Sequence, residues 1–198
     1  MDKARQAAVF ALERVRRDGA WSSALGDAMR IKFGLDPRSL ALAESICLGV
    51  MQNTALLDYY IDLYSKSSSK IEPKVRDIMR SGAYQLLFMD KVPMFAAVNE
   101  SVLLIRNSKQ RFAVGFANAV LRKVAAEKDE LLQFIDSSDD PAVRYSCPGE
   151  VYDCLVKDHC KATADAFLAE SLKSPKTYFR VNNAVTDMDT LLSDLKNS

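Results

Sequence analysis

Glycine and proline are scarce in this 198-residue chain, seven and six in number, while helix-forming residues abound. That balance points to an α-rich protein. No apolar run approaches twenty residues, so no transmembrane helix is expected. The first nineteen residues are charged and amphipathic and lack a signal-peptide pattern, which predicts a cytoplasmic protein. Neither sign of charge is in excess: 27 basic and 26 acidic residues leave a net charge of +1, which alone says nothing about nucleic acid. The single histidine, His159, and the four cysteines, Cys47, Cys147, Cys154 and Cys160, match no standard zinc spacing. Positions 154 and 159 would fall on different faces of a helix. No metal site is expected, and the thiols should be reduced.

What the chain does have is helical periodicity and ample apolar content, 48% of its residues. Ala4, Ala7, Ala8, Ala11, Leu12 and Val15 define an amphipathic first helix that ends at Asp18-Gly19. Lys3, Phe10, Arg14 and Arg17 fall on a different stripe, with Arg5 and Arg16 beside it. Trp21–Lys32 reads as a short helix. Asp36 caps the next, with Pro37 at its first position; it buries Leu42, Ile46, Gly49, Val50 and Leu57 and kinks or restarts near Asn53. After a polar loop at Ser65–Lys70, Glu72-Pro73 opens a helix with the apolar stripe Val75, Ile78, Met79, Gly82, Leu86 and Met89, where Gly82 would permit close packing.

The organising stretch is Val92–Val124, two helices separated by Asn107-Ser108-Lys109-Gln110. Phe95, Val98, Val102 and Ile105 give the first an apolar face. The second, about Phe112–Ala126, is apolar around most of its circumference, which predicts a central, buried helix. Its one polar stripe is Arg111, Gly115, Asn118 and Arg122. Asn118 is expected to be buried and bonded to backbone or to Asn99, and an ion pair to an acid such as Glu100 is one reading of Arg122. From Ser101 to Ala126 the charges are Arg106, Lys109, Arg111, Arg122 and Lys123, with no acid. From Asp129 to Glu170, ten acids stand against Arg144, Lys157 and Lys161. Such asymmetry suggests a basic binding surface beside an acidic neighbour; ordinary solvated helix faces are the alternative.

Val92-Pro93, then Ala97-Val98-Asn99-Glu100, then Gly115-Phe116-x-Asn118-Ala119-Val120-Leu121-Arg122 resemble, in order and spacing, the signature of the NusB-like RNA-binding domain. Arg80-x-Gly82-Ala83-Tyr84-Gln85-Leu86-Leu87 is similar to it as well, as is Asp36-Pro37-Arg38 through Leu42-Ala43-Glu44 to Gly49-Val50. Leu48 and Gln52 depart from the pattern, which usually has Tyr and Arg there. The resemblance implies an all-α, NusB-like helical bundle. Such bundles occur alone, as transcription antitermination factors, and at the N-terminus of rRNA cytosine-C5 methyltransferases of the RsmB, Sun or Fmu type. It also implies RNA binding by an Arg-rich first helix. The candidate RNA-binding residues are Lys3, Arg5, Arg14 and Arg17, expected near Lys109, Arg111, Arg122 and Lys123.

Ser137-Ser138-Asp139-Asp140-Pro141 reads as a polar linker, dividing a helical domain (1–135) from a second region (136–198). That region reads as two short helices, about Gly149–His159 and Ala162–Leu172, a strand at Lys176–Val181, and a helix capped by Asp187 with Leu191, Leu192 and Leu195 on one side. His159 would close the first of these helices, where a cation suits the dipole. Tyr145-Ser146-x-Pro148 and Phe179-Arg180-Val181-Asn182 resemble the start of an α/β subdomain of the RsmB-type methyltransferases. One strand and one helix cannot bury a sheet, so the chain reads as stopping inside that subdomain.

The family's chemistry implies a catalytic thiolate and bound S-adenosylmethionine in the longer parent. Gly115-x-x-Asn118 follows no strand, and Tyr145-Ser146-Cys147-Pro148 reverses the Pro-Cys order and falls in the linker. Neither a catalytic residue nor a cofactor is therefore expected in this chain. The partner implied is RNA, 16S rRNA in particular, rather than DNA or a membrane, with a protein partner on the helical domain as a further option. Two other readings stay open: an antitermination factor binding boxA-like RNA and ribosomal protein S10, or a helical docking module that binds no RNA.

Overall fold

The computed structural model describes residues 2–20, 22–65, 71–173, 178 and 180–196, and among these it contains twelve α-helices, one 3-10 turn and no strand. The helices are α1 (Lys3–Asp18), α2 (Ser22–Phe33), α3 (Pro37–Gln52), α4 (Thr54–Leu63), α5 (Pro73–Phe88), α6 (Met94–Arg106), α7 (Val114–Ala126), α8 (Lys128–Ser137), α9 (Pro141–Arg144), α10 (Gly149–His159), α11 (Lys161–Ser171) and α12 (Met188–Lys196). Carboxylates start many of them. Asp2 accepts the Arg5 N–H, Asp36 those of Arg38 and Ser39, Glu72 that of Lys74, and Asp140 that of Ala142. Proline follows the last three caps, where its missing N–H goes unused. Gly19, at φ 61°, closes α1 in the left-handed conformation that its sequence position requires.

α3 and α4 form one apolar run bent by 78° at Asn53. The bend is fixed locally: Asn53 Nδ2 donates to the Gly49 carbonyl and Thr54 Oγ1 to that of Val50. Among the described residues no single helix is long and apolar enough to cross a membrane, and Ile46, Val50, Leu57 and Tyr60 of this bent pair lie in the core, while Leu48 and Leu63 are exposed.

α5 is the hub, packing against α1, α3, α4, α6, α7 and α8. The small residues Ser81, Gly82 and Ala83 let neighbours approach on several sides, and a Cβ at Gly82 would stand 2.6 Å from Ser101 Oγ of α6. This corrects the sequence expectation that α7 is the central, buried helix. α7 buries only Ala117, Val120, Leu121 and Val124, and its other face is open. Alanine and glycine on that face raise its apolar content without requiring burial. On α6, Val98 and Ile105 are buried as the spacing predicts, but Phe95 is 71% exposed, one turn ahead of the helix contacts.

A polar row, Asp77, Ser81 and Gln85, runs along α5 inside the protein, and α1 answers it. Arg5 Nε donates to Gln85 Oε1 at 2.7 Å and Arg16 Nε to Asp77 Oδ2 at 2.9 Å, so the two helices run antiparallel with an arginine at each end. Arg80 grips Asp58 of α4 with two donors, at 2.8 and 2.6 Å.

The segment after α8 is tied to the bundle. Ser138 is buried, Val143 of α9 joins the main core, and Ser146 Oγ accepts the Leu56 N–H. Tyr145, Cys147 and Leu168 form a separate small cluster beneath α10 and α11, which meet at Cys160. His159 occupies the last turn of α10, as its sequence position predicts. Asp187 caps α12 by accepting the Thr190 N–H. Of the expected strand, Tyr178, Arg180 and Val181 adopt no regular structure, and Lys176, Thr177 and Phe179 lie outside the described residues.

Candidate nucleic-acid interface

The C-terminal end of α1 and the turn between α6 and α7 meet at a shallow cleft of about 550 Å³. Arg16 and Arg17 enter it from α1, Lys74 from the start of α5 and Lys109 from the turn. Two carboxylates, Glu13 and Glu72, share it. Both are engaged: Glu13 pairs with Arg17 and Lys74 at 3.4 Å each, and Glu72 accepts the Lys74 N–H and Gln110 Nε2. Arg16 is in turn held by Asp77, so Lys109 is the cleft's cation without an ion-pair partner among the described residues.

From this cleft the cations continue along α7. Lys109 and Arg111 are exposed and have no ion-pair partner among the described residues. Arg122 and Lys123 stand three turns further on, Arg122 on the exposed side and Lys123 with its Nζ 5.4 Å from the Tyr64 ring centroid. No acid occurs between Ser101 and Ala126, so the segment cannot neutralise itself.

The candidates on α1 scatter. Arg17 joins Lys109 in the cleft, whereas Lys3 lies about 20 Å away along the helix. Arg14 pairs with Asp18, and its guanidinium lies 6.0 Å from the Phe10 ring, over which Lys32 Nζ sits at 3.8 Å. Arg5 is a correction: it is only 8% exposed, bonded to Gln85 and paired with Asp2 at 3.1 Å, so it holds α1 to α5 and offers nothing to a ligand. The signal was in α5, where three polar residues four apart on a buried face demand partners.

One further expectation is overturned, and of the two readings of Arg122 the ion pair to Glu100 is not found. Asn118 is not buried and bonds neither backbone nor Asn99; it lies on the outer side of α7 and accepts Arg122 Nε–H at 3.2 Å. Among the described residues Glu100 does not pair with Arg122; its carboxylate accepts the Asp2 N–H at 2.9 Å. Asn118 therefore orients an outward-facing guanidinium. The sequence reading also missed Lys74 and Arg16 as neighbours of Lys109, since no local pattern links α1, α5 and the turn.

The two buried thiols are not activated as nucleophiles. Burial pushes Cys47 up to about 11 and raises Cys147. Cys160 is exposed and lowered, mainly by its hydrogen bond with the Thr163 hydroxyl. Among the described residues no group of three His, Cys, Asp or Glu side chains converges on a metal position. Gly115 sits on an open helical turn preceded by a 3-10 turn rather than a strand, so it makes no nucleotide loop.

The chain is similar to several curated proteins. It is 26% identical over 195 residues to "Probable ribosomal RNA small subunit methyltransferase B" of Bacillus subtilis (strain 168), covering 96% of this chain and 43% of that protein. With the protein of the same name from Synechocystis (strain PCC 6803) the figures are 26% over 184 residues, 92% and 41%. With the ribosomal RNA small subunit methyltransferase B of Escherichia coli O1:K1 they are 27% over 190 residues, 96% and 43%. The chain thus spans less than half the length of these curated relatives. The profile of the NusB family matches residues 2–126, well over half of the chain and the whole of the bundle from α1 to α7, and the chain belongs to that family.

Proposed function

We propose that this NusB-family bundle binds RNA along the cationic path from the α1–α5 cleft to the outer face of α7. In this reading it presents small-subunit (16S) rRNA to a methyltransferase. The observation that carries it is the acid-free run from Ser101 to Ala126, in which Lys109 and Arg111 stand on the surface without ion-pair partners among the described residues. Cations at rest beside engaged carboxylates suit a polyanion, whose phosphates release counterions as they are neutralised. The names of the relatives supply the rRNA and the methyl transfer. Similarity to them extends well beyond residue 126, which supports this reading over a free-standing antitermination factor. The methyl donor, S-adenosylmethionine by the chemistry of such enzymes, would be held by parts of those proteins that this chain does not match.

The test is charge reversal at Lys109 and Arg111, read by binding of a small-subunit rRNA fragment across a salt series. The double variant should bind more weakly at low salt. The slope of log K against log salt should fall by about 0.7–0.9 for each phosphate that the variant no longer neutralises. Thermal stability should stay within about 0.5 kcal/mol of the parent, as expected for exposed sites. Unchanged RNA affinity at low salt would overturn the reading.

A further inference from the structure

Phe112 is 80% exposed, and it lies in the 3-10 turn directly after Arg111, with Lys109 three residues before; neither cation has an ion-pair partner among the described residues. An aromatic ring there is no product of a loose loop. Ser108 Oγ bonds the Ile105 carbonyl and accepts the Gln110 N–H, Gln110 Nε2 reaches Glu72, and the buried Ala113 donates to the Gln110 carbonyl. The turn is pinned on both sides of the ring. Phe112 has no aromatic or cationic partner among the described residues, in contrast to Phe10, whose ring is taken by Phe33, Lys32 and Arg14. One helical turn on, a Cβ added at Gly115 would meet nothing within 4 Å, so the approach beside the ring is open.

Other exposed phenylalanines lack this setting. Phe167, 60% exposed, sits on α11 within the acidic region, which repels phosphate. Phe95 lies at the opposite end of α6 from Lys109 and Arg111. Among the described residues, Phe112 combines an unoccupied ring with two cations just before it and a fixed backbone.

We propose that Phe112 is a stacking platform for one unpaired base, so that this face selects single-stranded or looped RNA over continuous duplex. The inference rests on the RNA reading above. A ring face accepts any base, while Arg111 and Lys109, just before it in the chain, hold the neighbouring phosphates; in a duplex the bases are already stacked and cannot reach the ring.

The experiment compares the parent chain with Phe112→Ala and Phe112→Trp, using a short single-stranded RNA that carries a fluorescent purine analogue and the same RNA annealed to its complement. Phe112→Ala should lose roughly ten-fold in affinity for the single strand and none for the duplex. It should also lose the quenching that stacking imposes on the analogue, and Phe112→Trp should restore both. An alanine variant that weakens neither RNA, or both alike, overturns the proposal: the ring is then a protein contact or a general surface, and the cationic reading stands. A parent chain that binds neither RNA at low salt removes both readings.

Discussion

Replacing Gly82 by alanine measures how tightly the hub helix meets its neighbours. The added Cβ would lie 2.6 Å from Ser101 Oγ on α6, and 3.0 and 3.1 Å from the two Leu121 methyl carbons on α7. Neither neighbour has room to leave. Ser101 is buried with its hydroxyl bonded to the Ala97 carbonyl at 2.8 Å, and Leu121 is fully enclosed. α5 cannot recede either, because α1, α3 and α4 occupy its other sides. Overpacking of this kind costs roughly 1–3 kcal/mol, and the better helix propensity of alanine returns about 1 kcal/mol. With a contact as short as 2.6 Å and two more near 3 Å, the upper part of that range applies, roughly 2–3 kcal/mol, so the expected net loss is about 1–2 kcal/mol, roughly a five- to thirty-fold shift in the folding equilibrium. Urea unfolding should show a lower midpoint at an unchanged slope. Ser101→Ala removes the nearest clash, and Ala97 keeps its helical acceptor bond. The double variant should therefore recover part of the loss, with a coupling of roughly 0.5 kcal/mol or more. A neutral or stabilising Gly82→Ala would refute the claim that the three helices are in contact through this residue.

The remaining predictions are local. Tyr60 is buried and donates its hydroxyl to the Leu131 carbonyl at 2.6 Å, joining α4 to α8; Tyr60→Phe should cost about 1 kcal/mol in urea unfolding, and no change would mean the bond contributes nothing net. In native alkylation followed by mass spectrometry, Cys154 and Cys160 should label while the buried Cys47 and Cys147 do not. Because the Cys160 thiol is lowered, its thiolate fraction at a given pH exceeds that of an ordinary thiol, and Thr163→Ala should move the onset of its labelling to higher pH; an unmoved onset would mean that the Thr163 hydroxyl does not hold the thiol down.

Apolar spacing was enough to place the early helices. The capping carboxylates, Asp36-Pro37 and Glu72-Pro73, marked two helix starts to the residue, and Gly19 marked an end. Those signals are local, and local signals survive folding. Packing direction was not local. α7 looked buried because alanine, glycine and valine dominate it, but small residues are nearly indifferent to exposure, and only four positions settled inside. The same ambiguity hid Phe112, since the tighter winding of a 3-10 turn shifts the side-chain phase ahead of α7 and turns the ring outward. For the arginines of α1 the deciding information lay sixty or more residues away. Arg5 and Arg16 are distinguished from Arg14 and Arg17 only by Gln85 and Asp77 across the α1–α5 interface.

A net charge of +1 therefore conceals a partition made by the fold. Asp58 and Asp77 are committed to Arg16, Arg76 and Arg80 between α1, α4 and α5. Buried pairs of this sort add little net stability, since desolvation offsets their attraction, but breaking one leaves a charge stranded, so they fix which way α1 lies on α5. With α1 fixed, Arg16 and Arg17 are delivered to the mouth of the cleft that Lys109 closes from the other side. The acids that balance the total are carried instead by the region from α8 to α11, away from the α6–α7 turn in sequence and in helix contacts. Because no acid lies between Ser101 and Ala126, rearranging side chains within that segment cannot neutralise its cations. Only acids from elsewhere in the fold or an external anion can do so, and the fold has spent its nearest carboxylates, Glu13 and Glu72, on Arg17, Lys74 and Gln110.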